Sequence, residues 1–186
     1  LSDIPGLINA IRMIHSISRY YNTSERMTSL FLKVTNQMIT ACKSYVSDRG
    51  TQTIWTQPQT HLVKKLKDCI KLNNEYQSFF KKTKEKLAQM PDERPFDFSE
   101  MYIFGKFDTF TRRCQKIIDV FETINVYSKL QDSKIEGIDM LAAKLNGLVL
   151  TLKKKNYDFL DQRKQDFDND YDDFKRSIQD LHVNQN

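Results

Sequence analysis

The chain has 186 residues, with 29 Lys and Arg against 24 Asp and Glu for a formal net charge of +5. Its five Gly and four Pro are under half the ordinary share of roughly 12 %, too few for an all-β sandwich that turns every 8–12 residues or so. Hydrophobic residues make up 39 %, including 12 Phe and 8 Tyr; that excludes intrinsic disorder, and with a mean hydropathy of −0.60 it points to an all-α, elongated bundle with a narrow core.

Five to six long helices read along the chain, and nothing reads as a strand. The first runs from about Asp3 to Tyr20, with Asp3 as N-cap, Pro5 in the first turn and Leu7, Ile11, Ile14 and Ile17 as its stripe. Asn22-Thr23-Ser24-Glu25 then forms a capping box. The second helix continues to about Val46, striped by Met27, Leu30, Phe31, Val34, Met38, Ala41, Cys42 and Tyr45. Asp48-Arg49-Gly50 ends it, with Gly50 expected at the left-handed position after the last turn.

Thr51–Gln57 reads as a loop carrying the only Trp, Trp55. Pro58 suits the first residue of a third helix reaching about Gln89. Leu62, Leu66, Cys69, Ile70, Tyr76, Phe79 and Phe80 lie on one side of it. Met90–Phe96 holds two of the four prolines and is the clearest break. A fourth helix starts near Asp97 or Ser99 and runs to about Gln131, striped by Phe104, Phe107, Phe110, Cys114, Ile117, Ile118, Phe121, Ile124, Tyr127 and Leu130. Ser133-Lys134-Ile135-Glu136 is a second capping box, opening a helix striped by Ile135, Ile138, Leu141, Ala142, Leu145, Leu148 and Leu152. The last helix, about Asp161–Val183, places Phe167, Tyr171, Phe174, Ile178 and Leu181 at alternating four-three spacing. Residues 1–186 are expected to form one helical-bundle segment with a sub-bundle break near 90–96.

The charge is uneven. Residues 157–186 carry eight Asp against four Lys and Arg, so the rest is strongly basic. No apolar run approaches the roughly 18 residues of a membrane span; the longest, Leu145–Leu152, is closed by Lys144 and Lys153–Lys155. No signal peptide is visible. Leu1 is not Met, and Ser2-Asp3-Ile4-Pro5 reads as a continuation, so a piece of a larger protein is expected. The odd, widely spaced set Cys42, Cys69 and Cys114 reads as reduced intracellular thiols.

Residues that invite chemistry mostly decline it. Gly105-Lys106 lacks the Gly five residues earlier, where Glu100 stands, and the Ser or Thr that follows in a phosphate loop, where Phe107 stands. A helix-interior Gly permitting close packing is the plainer reading. Asp166-Phe167-Asp168-Asn169-Asp170 resembles a calcium loop only until its sixth position, Tyr171, and its twelfth, Ser177. A solvated acidic face holding Asp166, Asp170 and Asp173 is expected there. His15, His61 and His182 show no zinc-ligand spacing. The three Cys fall on or beside apolar stripes and read as small buried hydrophobes. Asn22 forms a glycosylation sequon with Ser24, but suits a helix cap better. Thus no catalytic, cofactor-binding or metal residue is expected. Lys64–Lys86 carries eight Lys against three acids, interleaved with Tyr76, Phe79 and Phe80. Those aromatics lie on the apolar side and the stretch has no Arg, so it reads as a solvated or acid-docking face, not a nucleic-acid interface.

Three blocks carry a family resemblance. Ile17–Phe31 (ISRYYNTSERMTSLF) with Lys33–Met38 (KVTNQM), Ser99–Phe110 (SEMYIFGKFDTF) and Tyr127–Ile138 (YSKLQDSKIEGI) resemble, in order, the N-terminal tail region of axonemal dynein heavy chains. The first block looks most like the gamma-type outer-arm chain of motile cilia. The likeness covers most of the chain and is weakest in 51–59, 81–95 and after about Phe159. It implies a cytoskeletal, ciliary-axoneme location and a parent that is an ATP-driven, minus-end-directed microtubule motor. ATP and Mg would belong to AAA+ modules far downstream, so no cofactor is expected in this segment. The implied partners are other dynein heavy chains, intermediate and light chains, a docking complex and, indirectly, the doublet microtubule, with no nucleic acid and no membrane. The alternative is a helical scaffold or ligand-binding domain unrelated to dynein, which would need converging polar groups such as Glu-x-x-His; none occurs.

Overall fold

The computed structural model describes residues 3–17, 24–50, 53–92, 95–132, 137–155 and 157–183. Six helices make up 80 % of it, with no strand among the described residues: α1 Ile4–Ile17, α2 Ser24–Val46, α3 Gln59–Ala88, α4 Glu100–Gln131, α5 Ile138–Lys154 and α6 Asp166–Val183. The all-α bundle expected from the stripes is what forms.

The long helix α4 is the axis. Its 32 residues span about 48 Å at 1.5 Å each, and it packs against α2, α3 and α5. Cross-helix pairs give the directions. Gln59 reaches Phe121, Asn73 meets Asp108, and Phe80 meets Phe104, so α3 runs antiparallel to α4. Phe31 meets Phe80 and Tyr45 meets Asp68, so α2 runs antiparallel to α3. Arg113 meets Asp168 and Asp119 meets Tyr171, so α6 runs parallel to α4. One hydrophobic cluster runs from Ile4 to Phe174 and draws on all six helices.

Helix ends follow their caps. Asp3 accepts the Gly6 N–H on its carboxylate at 3.0 Å, the expected N-cap of α1. Ser99 caps α4, accepting the Tyr102 N–H on Oγ at 3.4 Å. At the end of α2 the left-handed residue is Asp48, at φ +47, with Arg49 at +58 and Gly50 at +83. The Arg49 N–H closes back on the Ser44 carbonyl at 2.8 Å, a Schellman closure that begins two residues before the expected Gly50. Pro58 is the N-cap of α3, extended at ψ 129, so the helix starts one residue later than expected. The expected box at 22–25 falls largely outside the described residues, as do Tyr20 and the box at 133–136; the described part of α5 begins after Gly137, whose φ of +89 suits Gly.

Three stripes are rotated from expectation. In α1, Ile4, Ile8, Ile11 and His15 are buried, Leu7 is half-buried and Ile14 is exposed. The edge-on packing of His15 against Phe96 and Phe98, at 5.2 and 5.8 Å, fixes that phase. In α2, Thr35, Ile39 and Val46 join Met27, Phe31, Met38 and Cys42 inside, while Tyr45 turns outward to donate to Asp68 at 2.9 Å. In α5, Val149 takes the core place expected of Leu148. The break after α3 does not leave the core: Phe96 and Phe98 insert among Phe31 and Phe80.

The largest difference is at the last helix. Residues 161–165, expected as its first turn, form an irregular loop instead. Arg113 occupies the Asp161 and Lys164 carbonyls, which a helix there would need for its own ladder, and the Phe159 carbonyl just before them.

Candidate functional site

Arg113 anchors the C-terminal half. It lies on α4 and is 2 % exposed. Nε donates to Asp168 Oδ1 at 3.1 Å and Nη2 to Oδ2 at 2.7 Å. Nη1 donates to the Phe159 and Asp161 carbonyls, and Nη2 to that of Lys164 at 2.7 Å. All five guanidinium protons therefore have acceptors. The Phe167 ring stacks on the guanidinium, 5.1 Å away, and Lys116 adds a second cation to Asp168 at 3.0 Å. Burial pushes the Asp168 carboxyl up, but the hydrogen bonds and charges of Arg113 and Lys116 outweigh it and leave it below the ordinary value. Asp161 accepts from Arg163 at 2.9 Å; that bond holds its carboxyl down, to about 2.

A second polar cluster ties α3 to α4. Asn73 donates to Asp108 at 2.9 Å and to Thr111 at 3.3 Å. Gln77 donates to Asn73 and Asp108 at 2.9 and 2.6 Å. Tyr76 lies beside Thr35, the oxygens 3.3 Å apart, and burial raises its phenol to about 12. These clusters are closed on themselves. They hold helices together and offer no reactive atom to a ligand.

The residues that drew notice as candidate sites now have places. Gly105-Lys106 lies inside α4, where no loop of amides faces a phosphate. A Cβ built at Gly105 meets nothing within 4 Å, so the expected close packing is absent. In 166–170, Asp166 is exposed but Asp170 is not part of a solvated face. It accepts from Lys155 at 2.5 Å and from Tyr157, because the loop before α6 folds back over it. Asp173 remains exposed and pairs with Arg176. His61 is exposed on α3, while Asn22 and the side chain of His182 lie outside the described residues. Among the described residues no group of three His, Cys, Asp or Glu is placed to hold a metal, and no helix is long and apolar enough to cross a membrane.

The three cysteines are buried and free, as expected. The spacing does not show their arrangement: Cys42 on α2 and Cys69 on α3 line one groove beside Tyr45 and Asp68. No local pattern marks which residues of two helices will meet, so nothing in the spacing could have shown it.

The basic stretch presents Lys64, Lys67, Lys71, Lys82 and Lys86 on the side of α3 opposite its buried Leu62, Leu66, Cys69 and Tyr76. Lys67 pairs with Glu122, Lys71 with Glu75 and Lys84 with Glu100, at 3.5–3.7 Å. Tyr76 and Phe80 are fully buried and so are not displayed for stacking. Met101, Tyr102, Met140 and Leu150 project outward from α4 and α5.

Residues 1–185 match the model of the family "Dynein heavy chain, N-terminal region 1". The chain belongs to that family. It is 59 % identical over 182 residues to dynein axonemal heavy chain 5 of Mus musculus, 98 % of this chain and 4 % of that protein. It is 52 % identical over 180 residues to dynein axonemal heavy chain 8 of Homo sapiens, 97 % of this chain and 4 % of that one. Against the dynein gamma chain of the flagellar outer arm of Chlamydomonas reinhardtii it is 39 % identical over 182 residues, 97 % of this chain and 4 % of that protein. The chain thus spans a small fraction of the length of the relatives it matches. A helical domain unrelated to dynein is set aside by these identities. The gamma-type likeness read in the first block agrees with the outer-arm relative.

Proposed function

We propose that this chain is a non-catalytic assembly segment of an axonemal dynein heavy-chain tail. It joins neighbouring tail segments, takes part in holding intermediate and light chains, and attaches the arm through a docking complex to the doublet microtubule of the ciliary axoneme. ATP turnover, with Mg, takes place elsewhere in the parent motor.

The observation that carries this reading is that residues 1–185 lie wholly within the heavy chain's N-terminal region 1. The architecture supports it. The buried polar groups of Arg113 and Asn73 are engaged inside the bundle, whereas large apolar side chains such as Met101 and Met140 are left 85 % and 69 % exposed. Long helices packed on one axis suit the transmission of force along their length.

The test removes this segment from the parent chain, then assays the microtubule-stimulated ATPase of the motor fragment and images axonemes from the same variant. Intact ATPase with missing or loosely held outer arms is the expected result. Arms that dock normally while ATP turnover collapses would sink the reading.

A further inference from the structure

Lys64, Lys67 and Lys71 stand at i, i+3 and i+7 on α3, and all three are exposed. That spacing puts three cations on one ridge, spread over about 10 Å of helix. A groove of about 490 Å³ lies on the α4 side of the ridge, with Val63, Lys64, Lys67, Glu122 and Asn125 in its lining. On the α2 side a groove of about 460 Å³ is lined by Tyr45, Lys71, Leu72 and Glu75, among others. Asp68 borders both grooves, and its carboxylate accepts from the Tyr45 hydroxyl at 2.9 Å.

The cations of this ridge are loosely held. Lys67 meets Glu122 of α4 and Lys71 meets Glu75, each at 3.7 Å. The four side chains are 47–74 % exposed, so these pairs contribute little and are open to exchange with other carboxylates. Lys64 is in no salt bridge among the described residues.

The chemistry of the face narrows the partner. α3 contains no Arg, and it is Arg that forks phosphates. Tyr76 and Phe80 are buried and Phe79 packs against the core, so no ring is displayed to a base. None of the large hydrophobic side chains exposed among the described residues lies on α3, which leaves the helix nothing to insert into a lipid surface. What Lys67 and Lys71 already hold is carboxylate, and Glu122 delivers one of the two from a neighbouring helix.

We propose that the ridge of Lys64, Lys67 and Lys71 is the docking site for an acidic helix of a partner protein. Carboxylates at matching i, i+3 and i+7 positions on that helix replace Glu122 on Lys67 and Glu75 on Lys71, and supply Lys64 with a partner. In the free chain the two glutamates are placeholders that compete with the incoming helix. This rests on the assembly reading above and gives the chemistry of one contact within it.

The test uses two fluorescent Ala-rich helical peptides of the same composition. One carries its Glu in an i, i+3, i+7 row, and the other disperses them around the helix. Binding to the native chain is read by anisotropy, with the helicity of every variant verified by circular dichroism. The row peptide should bind about tenfold more tightly than the dispersed one. Lys64→Glu with Lys67→Glu and Lys71→Glu should abolish that preference. The same charge change at Lys106, Lys129 and Lys144, exposed on α4 and α5, should leave it intact. Glu75→Gln with Glu122→Gln should tighten binding of the row peptide by about threefold, a gain that misfolding does not produce. Asp172→Asn with Asp180→Asn, which adds the same charge on α6, should not tighten it. Equal binding of the two peptides, equal effects of the two sets of lysine reversals, or no gain from removing Glu75 and Glu122 would overturn the proposal. So would tighter binding to phosphatidylserine vesicles or to a DNA duplex than to the row peptide. These measurements need no axoneme, so their failure strikes this ridge alone, while the assembly reading stands or falls on the deletion experiment.

Discussion

With Arg113 truncated to Ala, Asp168 would keep its charge against the bundle, the Phe159 and Lys164 carbonyls would lose the Arg113 donor, and the Asp161 carbonyl would keep only the Lys164 N–H. Breaking a buried, fully hydrogen-bonded pair from one side costs about 3–5 kcal/mol. Lys116, whose side chain is 30 % exposed, contributes far less; its loss should cost about 1 kcal/mol at most. Arg113→Lys should not rescue, because an ammonium cannot present five donors in a plane. Urea midpoints of the three variants check this, and a similar shift for Arg113→Ala and Lys116→Ala would contradict it. The titrating groups add a second expectation. The Asp161 and Asp168 carboxyls sit below their ordinary value, Asp161 at about 2. As pH falls below about 4 the unfolded chain takes up those protons first. The stability these carboxyls contribute is therefore present above that pH and lost progressively towards about 2. On the alkaline side burial raises Tyr76 to about 12 and Tyr171 upward as well. The unfolded phenols ionise first, near pH 10 or so, so stability falls from there towards about 12. A urea midpoint measured across pH should show both limbs with a plateau between; a loss that begins near pH 6 would point to a histidine instead.

Among the helices, α4 carries a cost with no visible return. Gly105 lies in its interior and a Cβ there meets nothing within 4 Å. Gly105→Ala should stabilise the chain by about 0.5–1 kcal/mol, since Ala loses less backbone entropy in a helix. A thermal melt reads this directly, and destabilisation would reveal a partner that needs the bare backbone at that point. The same helix explains what could be read in advance. Its aromatic stripe is long and regular, so α4 was legible, with its start left between Asp97 and Ser99 until the Ser99 cap decides it, as were α2 and α3 to within a residue or so at their ends. The loop at 161–165 was not, because what unwinds it is Arg113, distant in sequence, taking its carbonyls. Periodicity treats Arg113 as one more polar position between stripes, and only the folded chain shows it buried. The turn of α1 was missed for a similar reason: Ile8 and Leu7 serve an isolated helix equally well, and the contact of His15 with Phe96 and Phe98 decides between them. At the level of sites, the burial of Cys42 and Cys69 is readable from their stripes, but that both line one groove depends on the register between two helices.

Across the whole molecule, charge is segregated. Lysines cover the outer side of α3, while Asp166, Asp172, Asp173 and Asp180 are exposed on α6. The ion pairs on α3 are open to water, at 47–74 % side-chain exposure for Lys71 and Glu75, and such pairs contribute little to stability. The field of that face is therefore free to act on a partner without holding the fold together. Lys64, Lys82 and Lys86, none of them in a salt bridge among the described residues, are the residues to reverse. Changing all three to Glu should move the urea midpoint by about 0.5 kcal/mol or less per site. Binding to an acidic tail segment or subunit should weaken clearly. For the unmodified chain, that binding should fall as salt rises past the regime where the screening length is about 10 Å, and the reversed variant should lose that slope. Pull-down of the neighbouring subunit across a salt series measures both. If the unmodified chain holds its partner equally at low and high salt, the contact is apolar, and the outward side chains of Met101, Tyr102, Met140 and Leu150 become the surface to alter.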